Sequence, residues 1–284
     1  MRWAAESVGA GSRVTSARRL TEGGWHANHA LTVIDRRGRS HRLVLRRGAR
    51  PEWRIEDPDF TAERKACVLG LLSDTPVPAP VVVAADAAFC DVPALLLTRL
   101  PGRVPGLPSD MDAFLGQLVA ALCGIHAVDG TARELIPRYR RYYDPRSASP
   151  PAWSTRRLWE RAMEVASDPP PAGRCCLIHR DYHPENTLWS RGRLAGDRRL
   201  DECVLGIAGL DTGHKRWNLA VTYGLDVAEE FLRRHRALTA EAFDDQRYWD
   251  VVTVVDFVSD IEPSEWADFD LARLERYLES VLSG

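Results

Sequence analysis

Lysine is almost absent from this chain. Of its 38 lysine and arginine residues, two are lysines, Lys65 and Lys215, and we attribute this bias to the codon usage of a GC-rich genome. Aspartate and glutamate number 40, so the formal net charge is −2. A chain this close to neutrality lacks the positive field that draws proteins to nucleic acids without sequence preference. We therefore expect no nucleic-acid partner.

The chain also lacks cysteine pairs and long apolar runs. None of its six cysteines forms a C-x-x-C pair, and most lie in apolar stretches such as "ALCGIH" and "CCLIH". This usage predicts reduced core cysteines and a cytoplasmic location. The first thirty residues contain no apolar segment of the kind found in signal peptides. The longest apolar run, "VPAPVVVAADAAF", is short and broken by proline, so we expect no membrane partner.

Charge is distributed unevenly along the sequence. Residues 1–50 contain eleven arginines against three acidic residues, whereas residues 241–284 contain twelve acidic residues against three arginines. The first pattern suits an anionic ligand and the second a cationic one. The alternative interpretation is that both are ordinary solvated faces.

The order of patterns predicts two lobes. In the first hundred residues, "GWHANHALTVID" and "HRLVLRR" alternate like strands of a hairpin turning at Gly38. A segment with helical spacing follows, "DFTAERKACVLGLLSD", and then two strand-like segments, "TPVPAPVVVAAD" and "VPALLLTRLPG". From "DMDAFLGQLVAALCGIHAV" onward the pattern is mainly helical. The change falls in "PGRVPGLP", so we predict lobes at 1–100 and 101–284.

The segment "IHRDYHPEN", residues 178–186, carries the clearest chemical signal. It contains the pattern H-R-D-x-x-x-x-N, in which an aspartate orients the attacking hydroxyl and an asparagine binds Mg²⁺ beside the nucleotide phosphates. Asp181 and Asn186 occupy those positions. The alternative is a turn rich in Asp and Asn that joins two elements.

Other parts of a phosphoryl-transfer site occur in a suitable order. Gly23 and Gly24 precede a strand and could cover phosphates with their backbone N–H groups, although two glycines also make a tight turn. Arg46 lies on the next strand, where a phosphate-contacting cation is needed. Glu63 follows on the predicted helix, either to pair with that cation or as a surface residue. "LLLTRLPG" is a strand that ends at a Pro-Gly turn.

Together these motifs make the chain resemble the aminoglycoside phosphotransferase and choline kinase-like family, from about residue 15 to about residue 260. The resemblance implies an α/β (α+β) protein kinase-like fold, with a small β-rich N-terminal lobe and a larger helical C-terminal lobe. It also implies ATP or GTP, Mg²⁺ and a small-molecule hydroxyl acceptor, for which the acidic C-terminal segment suggests a cation.

The resemblance also implies roles for individual residues. Asp181 would be the catalytic base and Asn186 a magnesium ligand. Arg46 would contact phosphate, Glu63 would orient Arg46, and the backbone from Thr98 to Leu100 would meet the nucleobase.

One departure from the family is serious. Its second metal-binding aspartate, typically in a G-x-x-D-W pattern after the catalytic loop, has no obvious counterpart. Either Gly209 stands in its place, or about ten residues before "LDTGHKRWNL" are missing, and we favour the second alignment. Asp211 would then be a substitute metal ligand or, as we favour, a structural residue that ties its segment to the catalytic loop. We therefore keep two alternatives to an active kinase, which are an inactive pseudokinase and, more weakly, an arginine-rich nucleic-acid binder.

Overall fold

A computed structural model gives the fold of the protein. It describes residues 1–20, 26–48, 61–86, 92–129, 134–141, 144–146, 154–239, 245–260 and 270–284, with the backbone alone at 259 and 260. Within these ranges, every helix falls short of the length and apolarity that a membrane span requires.

Contacts between residues divide the chain into two units. The first comprises Met1–Arg103, Arg133–Pro137 and Leu188–Cys203, and the second comprises Val104–Ala132, Arg138–Thr187 and Val204–Gly284. The first unit therefore includes a segment that the sequence alone assigned to the second lobe, residues 188–203.

An antiparallel five-stranded sheet forms the first unit, in the order β1-β2-β3-β5-β4. The predicted hairpin is confirmed, because β2 pairs with β3 and Gly38 in the turn has φ +80°. Alternate residues such as Leu31, Leu43 and Leu96 are buried on one face, where they form the core. The strands are β1 (Arg13–Arg19), β2 (Ala27–Ile34), β3 (Ser40–Arg47), β4 (Val82–Asp86) and β5 (Ala94–Thr98).

Two helices and a second hairpin complete the first unit. Helix α1 spans Arg2–Val8 and α2 spans Ala62–Ser73. Thr61 caps α2, since its side-chain oxygen accepts a hydrogen bond from the Arg64 N–H. The face of α2 that carries Leu69 and Leu72 is buried, and Lys65 is buried with it. The hairpin strands are β7 (Thr187–Ser190) and β8 (Arg193–Asp197), followed by a 3₁₀ turn at Leu200–Glu202.

The second unit is mainly helical, as the sequence predicted. Strands β6 and β9 form a short antiparallel pair. In the sequence, β6 precedes the predicted catalytic loop and β9 follows the β7–β8 hairpin. Helix α5 begins directly after β9 and packs closely on α7 because Gly209 and Gly213 have no side chain to separate them. The elements are β6 (Cys175–Ile178), β9 (Val204–Ile207), α3 (Met111–His126), α4 (Arg156–Ser167), α5 (Ala208–Tyr223), α6 (Leu225–Thr239), α7 (Gln246–Asp260) and α8 (Leu271–Ser283).

Gly102, in the predicted Pro-Gly turn, gives a first test of the fold. Its φ is +96°, and a Cβ there would lie 2.3 Å from the carbonyl oxygen of Trp189. Trp189 also exchanges two backbone hydrogen bonds with Arg103, so the turn cannot move away without breaking them. We expect Gly102→Ala to lower the free energy of unfolding by about 1–3 kcal/mol or more in urea denaturation. Gly106→Ala is the matched control, because a Cβ there meets no atom within 4 Å.

Candidate active site

The predicted catalytic loop follows β6 and folds back on itself. Asn186 lies on a 3₁₀ turn, Pro184–Asn186, and its side-chain Nδ2 donates to both the backbone oxygen and the Oδ2 of Asp181, each at 2.9 Å. The Asn186 side-chain oxygen is therefore directed away from Asp181. The Asp181 side chain retains 32% of its exposure, so a ligand can reach it.

Two imidazoles flank the Asp181 carboxylate. His214 Nε2 lies 3.4 Å and His183 Nε2 lies 3.6 Å from Asp181 Oδ1. Burial lowers the pKa of His183 to about 3, against the opposing effect of the Asp181 charge, so His183 is neutral at neutral pH. The next side chain in the loop, Tyr182, is anchored by its hydroxyl on the Leu118 carbonyl oxygen at 3.0 Å.

Asp211 holds the first residues of this loop through hydrogen bonds to their backbone. Its Oδ2 accepts from the His179 N–H at 2.7 Å and from His126 Nε2 at 2.9 Å, while its Oδ1 accepts from the Arg180 N–H at 2.6 Å. Arg180 has a left-handed backbone with φ +65°, a conformation that needs such support. Burial alone would raise the pKa of the Asp211 carboxyl, but the hydrogen bond and charge of His126 and the neighbouring His179 lower it below its ordinary value.

This geometry fits the structural role of Asp211 and corrects its assignment as a metal ligand. The residue is fully buried, and both of its oxygens are committed to the loop. Binding a metal there would require breaking the hydrogen bonds that hold His179 and Arg180.

Position 209 is not a vacant metal position either. Gly209 lies in the first turn of α5, and a Cβ there would lie 2.2 Å from a ring carbon of Trp249. An aspartate does not fit at this position without moving α7. Gly209 is therefore a close-packing position in this structure.

The first unit contains a buried carboxylate that the sequence analysis missed. Asp201 follows β8 on a 3₁₀ turn, ten residues before Asp211, and is 1% exposed. Arg46 Nη1 lies 2.5 Å from its carboxylate oxygens. Asp201 lies in "RLDE", between the predicted catalytic loop and Asp211, a position that neither alignment considered.

Arg46 is a β3 residue directed into this cluster, and its partner is not the expected one. Besides Asp201, it donates to the Asn28 side chain at 3.2 Å and to the Arg198 carbonyl oxygen at 2.9 Å. Glu63 is exposed on α2. The expected pair between Glu63 and Arg46 is wrong, because Glu63 lies on the exposed face of α2 while Arg46 pairs with Asp201.

The α2 residue that enters the cluster is Lys65. Its Nζ lies 3.3 Å from Asp201 Oδ2 and 3.4 Å from Glu202 Oε1. Burial raises the pKa of the Asp201 carboxyl, but the charges of Arg46 and Lys65 overcome this effect and hold the pKa below its ordinary value. Asp201 is therefore ionised and doubly paired at neutral pH.

The remaining predicted nucleotide contacts are only partly available. The Thr98 N–H donates to the Val81 carbonyl oxygen and the Arg99 N–H to the Arg42 carbonyl oxygen, each at 2.9 Å. Both donors are thus used within the first unit, whereas the Leu100 N–H has no such partner among the described residues. Gly23 and Gly24 lie outside the described residues.

Several described side chains carry oxygen donors of the type that Mg²⁺ prefers. Magnesium takes oxygen ligands, commonly one or two carboxylates together with substrate phosphates. The Asn186 side-chain oxygen and the Asp201 carboxylate are groups of this kind. Within the described parts of the chain, no group of three or more His, Cys, Asp or Glu side chains is arranged to hold a metal ion.

Comparisons with solved structures identify the fold. A thermostable variant of aminoglycoside phosphotransferase APH(4)-Ia, in complex with ADP and hygromycin B, matches with a TM-score of 0.67 and 14% identity over 95% of this chain and 94% of that one. Macrolide 2'-phosphotransferase MphH from Brachybacterium faecium matches with a TM-score of 0.59 and 17% identity over 94% and 92%. Aminoglycoside-3'-phosphotransferase of type VIII also gives 0.59, with 16% identity over 87% and 94%.

Sequence comparison shows the family. No curated protein sequence matches significantly. The model of the phosphotransferase enzyme family matches residues 18–197, which is more than half of the chain and includes both Arg46 and the catalytic loop. The protein therefore belongs to the phosphotransferase enzyme family of small-molecule kinases and has its protein kinase-like fold.

Proposed function

We propose that this protein transfers the γ-phosphate of ATP or GTP to a hydroxyl group of a small molecule. The observation that carries the proposal is the Asp181–Asn186 pair, joined by hydrogen bonds at 2.9 Å in a loop whose backbone Asp211 fixes. Phosphoryl transfer depends mainly on positioning and charge stabilisation, and a rigid loop with an accessible carboxylate supplies the first of these.

Asp181 orients the attacking hydroxyl and accepts its proton. The carboxylate is held by Asn186 on one side and faces His183 and His214 on the other. A general base acts from within hydrogen-bond reach of the proton that it removes, and this carboxylate is both exposed and oriented. Arg46 supplies a positive charge for the phosphates.

Asn186 is the residue of the catalytic loop that would supply a side-chain oxygen ligand to Mg²⁺. When bound, the ion neutralises charge that develops on the phosphate oxygens. We assign the role of the second metal-binding aspartate to Asp201 because it lies between the catalytic loop and Asp211 in the sequence. The proposal that the enzyme is inactive through loss of this aspartate accordingly loses its main support.

For the acceptor, we propose a cationic amino-alcohol such as an aminoglycoside. The acidic C-terminal segment, residues 241–284, motivates this choice, since opposite charge attracts and holds ammonium groups. Part of that charge is already used within the fold: Asp250 pairs with Arg216, and Asp256 pairs with Arg141. Among the similar structures, one holds the aminoglycoside hygromycin B and another is a macrolide phosphotransferase, so both acceptor classes need testing.

The proposed reaction is tested first by nucleotide binding and then by turnover. We expect ADP, and ATP or GTP, to raise the melting temperature of the purified protein. An acceptor screen that measures ADP or GDP release should then find one class of hydroxyl compound that stimulates turnover. Binding without stimulation by any acceptor would favour the inactive pseudokinase, and the absence of nucleotide binding would exclude both readings.

The charge of the acceptor has its own test. We expect aminoglycosides and choline-like alcohols to stimulate turnover more than neutral macrolides, with a preference that weakens between low salt and about 0.5 M salt because surface charges are screened. The readout is kcat/KM for each acceptor at both salt concentrations. A preference for neutral acceptors that salt does not change would contradict a cationic substrate.

A further inference from the structure

A buried cation lies on α2 where the family resemblance predicted an acidic side chain. The Lys65 side chain is 5% exposed, and its ammonium group contacts Asp201 and Glu202. Arg46, on β3, contacts the same Asp201 carboxylate. Two cations of the first unit therefore converge on two adjacent carboxylates.

Among the described residues of this cluster, the two carboxylates are balanced by two cations. Buried charges are tolerated when each is paired, and removing one partner leaves an uncompensated charge at high cost. Here Lys65 lies within 3.4 Å of both carboxylates, whereas Arg46 forms an ion pair with Asp201. Arg199 adds a further contact to Glu202, at 2.7 Å, from a more exposed position. Lys65 is thus the cation that can keep Asp201 paired if Arg46 turns to another anion.

We propose that Lys65 is a resident counter-ion of Asp201 and Glu202, which allows nucleotide phosphates to bind Arg46 without requiring Mg²⁺. This inference rests on the proposed function. When a phosphate draws the Arg46 guanidinium away from Asp201, Lys65 neutralises the carboxylate that is left behind. Mg²⁺ must compete with the Lys65 ammonium for the same carboxylate, so the ion contributes little to nucleotide affinity.

The test is calorimetry of ADP binding to the full chain, in EDTA and in excess Mg²⁺. For the parent protein we expect the two dissociation constants to agree within about threefold, because the fixed cations replace the charge of the ion. For Lys65→Met we expect ADP binding in EDTA to weaken about tenfold and to recover with Mg²⁺. Without Lys65, the Asp201 carboxylate retains Arg46 as its counter-ion, and Arg46 is free to bind phosphate when Mg²⁺ pairs with Asp201 instead.

Two further variants separate charge from structure. Lys65→Arg retains the positive charge and should bind ADP with the metal independence of the parent. Arg13→Met removes one cation from an exposed position on the edge strand β1 and should also behave as the parent does. If Lys65→Met does not fold, as judged by circular dichroism, the parent and Lys65→Arg measurements still decide the question.

The outcomes distinguish this inference from the proposed function. An ADP affinity in the parent that rises about a hundredfold or more with Mg²⁺ would overturn the inference and leave the kinase assignment intact. The same follows if Lys65→Met remains independent of Mg²⁺, or if Lys65→Arg becomes dependent on it. Failure of the parent to bind ADP under either condition would instead remove the proposed function itself.

Discussion

Asp181→Ala is expected to reduce phosphoryl transfer by about 10²–10⁴-fold, the usual contribution of a positioned general base. The reduction should appear in kcat, because Asp181 acts on the acceptor hydroxyl as it attacks. Nucleotide affinity, measured by calorimetry with ADP, should change little. The fold should survive, since the side chain is one-third exposed and its truncation opens no core cavity.

The matched control for this variant is Glu185→Ala. Glu185 is an exposed carboxylate of the same loop, four residues beyond Asp181. The Glu185→Ala variant tests whether a loss of turnover arises from changing the charge of the loop or from removing the general base. Equal turnover in Asp181→Ala and the parent would show that Asp181 is not the catalytic base.

Replacing Asp211 should have the largest effect on stability. Asp211→Ala leaves the buried His179 N–H, the partly buried Arg180 N–H and the His126 side chain without their acceptor, and we expect it to lower the free energy of unfolding by about 3–5 kcal/mol. The loss should occur in metal-free buffer, as measured by urea denaturation in EDTA. Asp168→Ala, at an exposed helix end, is the control and should change stability by no more than about 0.5 kcal/mol.

The pH dependence gives Asp211 a second signature. The folded state lowers the pKa of this carboxyl, so its contribution to stability is present above the ordinary value of 3.8 and is lost as the pH falls further. The stability difference between the parent and Asp211→Asn should therefore be constant near neutral pH and should narrow below about pH 4. The metal-ligand interpretation would be restored by two results together. The parent would lose stability when Mg²⁺ is removed, and in EDTA the parent and Asp211→Asn would have the same free energy of unfolding.

The sequence was most informative where the signal was local. Strand alternation placed β2 and β3, and their turn at Gly38, because a two-residue period is imposed by the pleat itself. The D-x-x-x-x-N spacing likewise brings Asp181 and Asn186 together, since five residues with a 3₁₀ turn return the chain to its starting point. These features depend on residues that are close in sequence.

Partners that are distant in sequence were harder to predict. Arg46 and Asp201 are 155 residues apart, and no periodicity relates them. The orientation of α2 decided the choice between Glu63 and Lys65, because two helical positions turn the side chain by about 200° around the axis, to the opposite face. The sequence analysis sought an aspartate after β9, the strand that pairs with β6, whereas Asp201 precedes β9.

By itself, the sequence indicated the family, the change from a strand-rich to a helix-rich part of the chain, and the loop that contains the D-x-x-x-x-N motif. Each of these depends on residues that are contiguous in sequence. The tertiary structure alone decided that Asp211 supports the loop and that Gly209 is a packing position. It also placed Lys65 beside Asp201. The physical reason is that burial and pairing of charge depend on which faces meet in three dimensions, and a buried carboxylate takes its role from the donors that the fold brings to it.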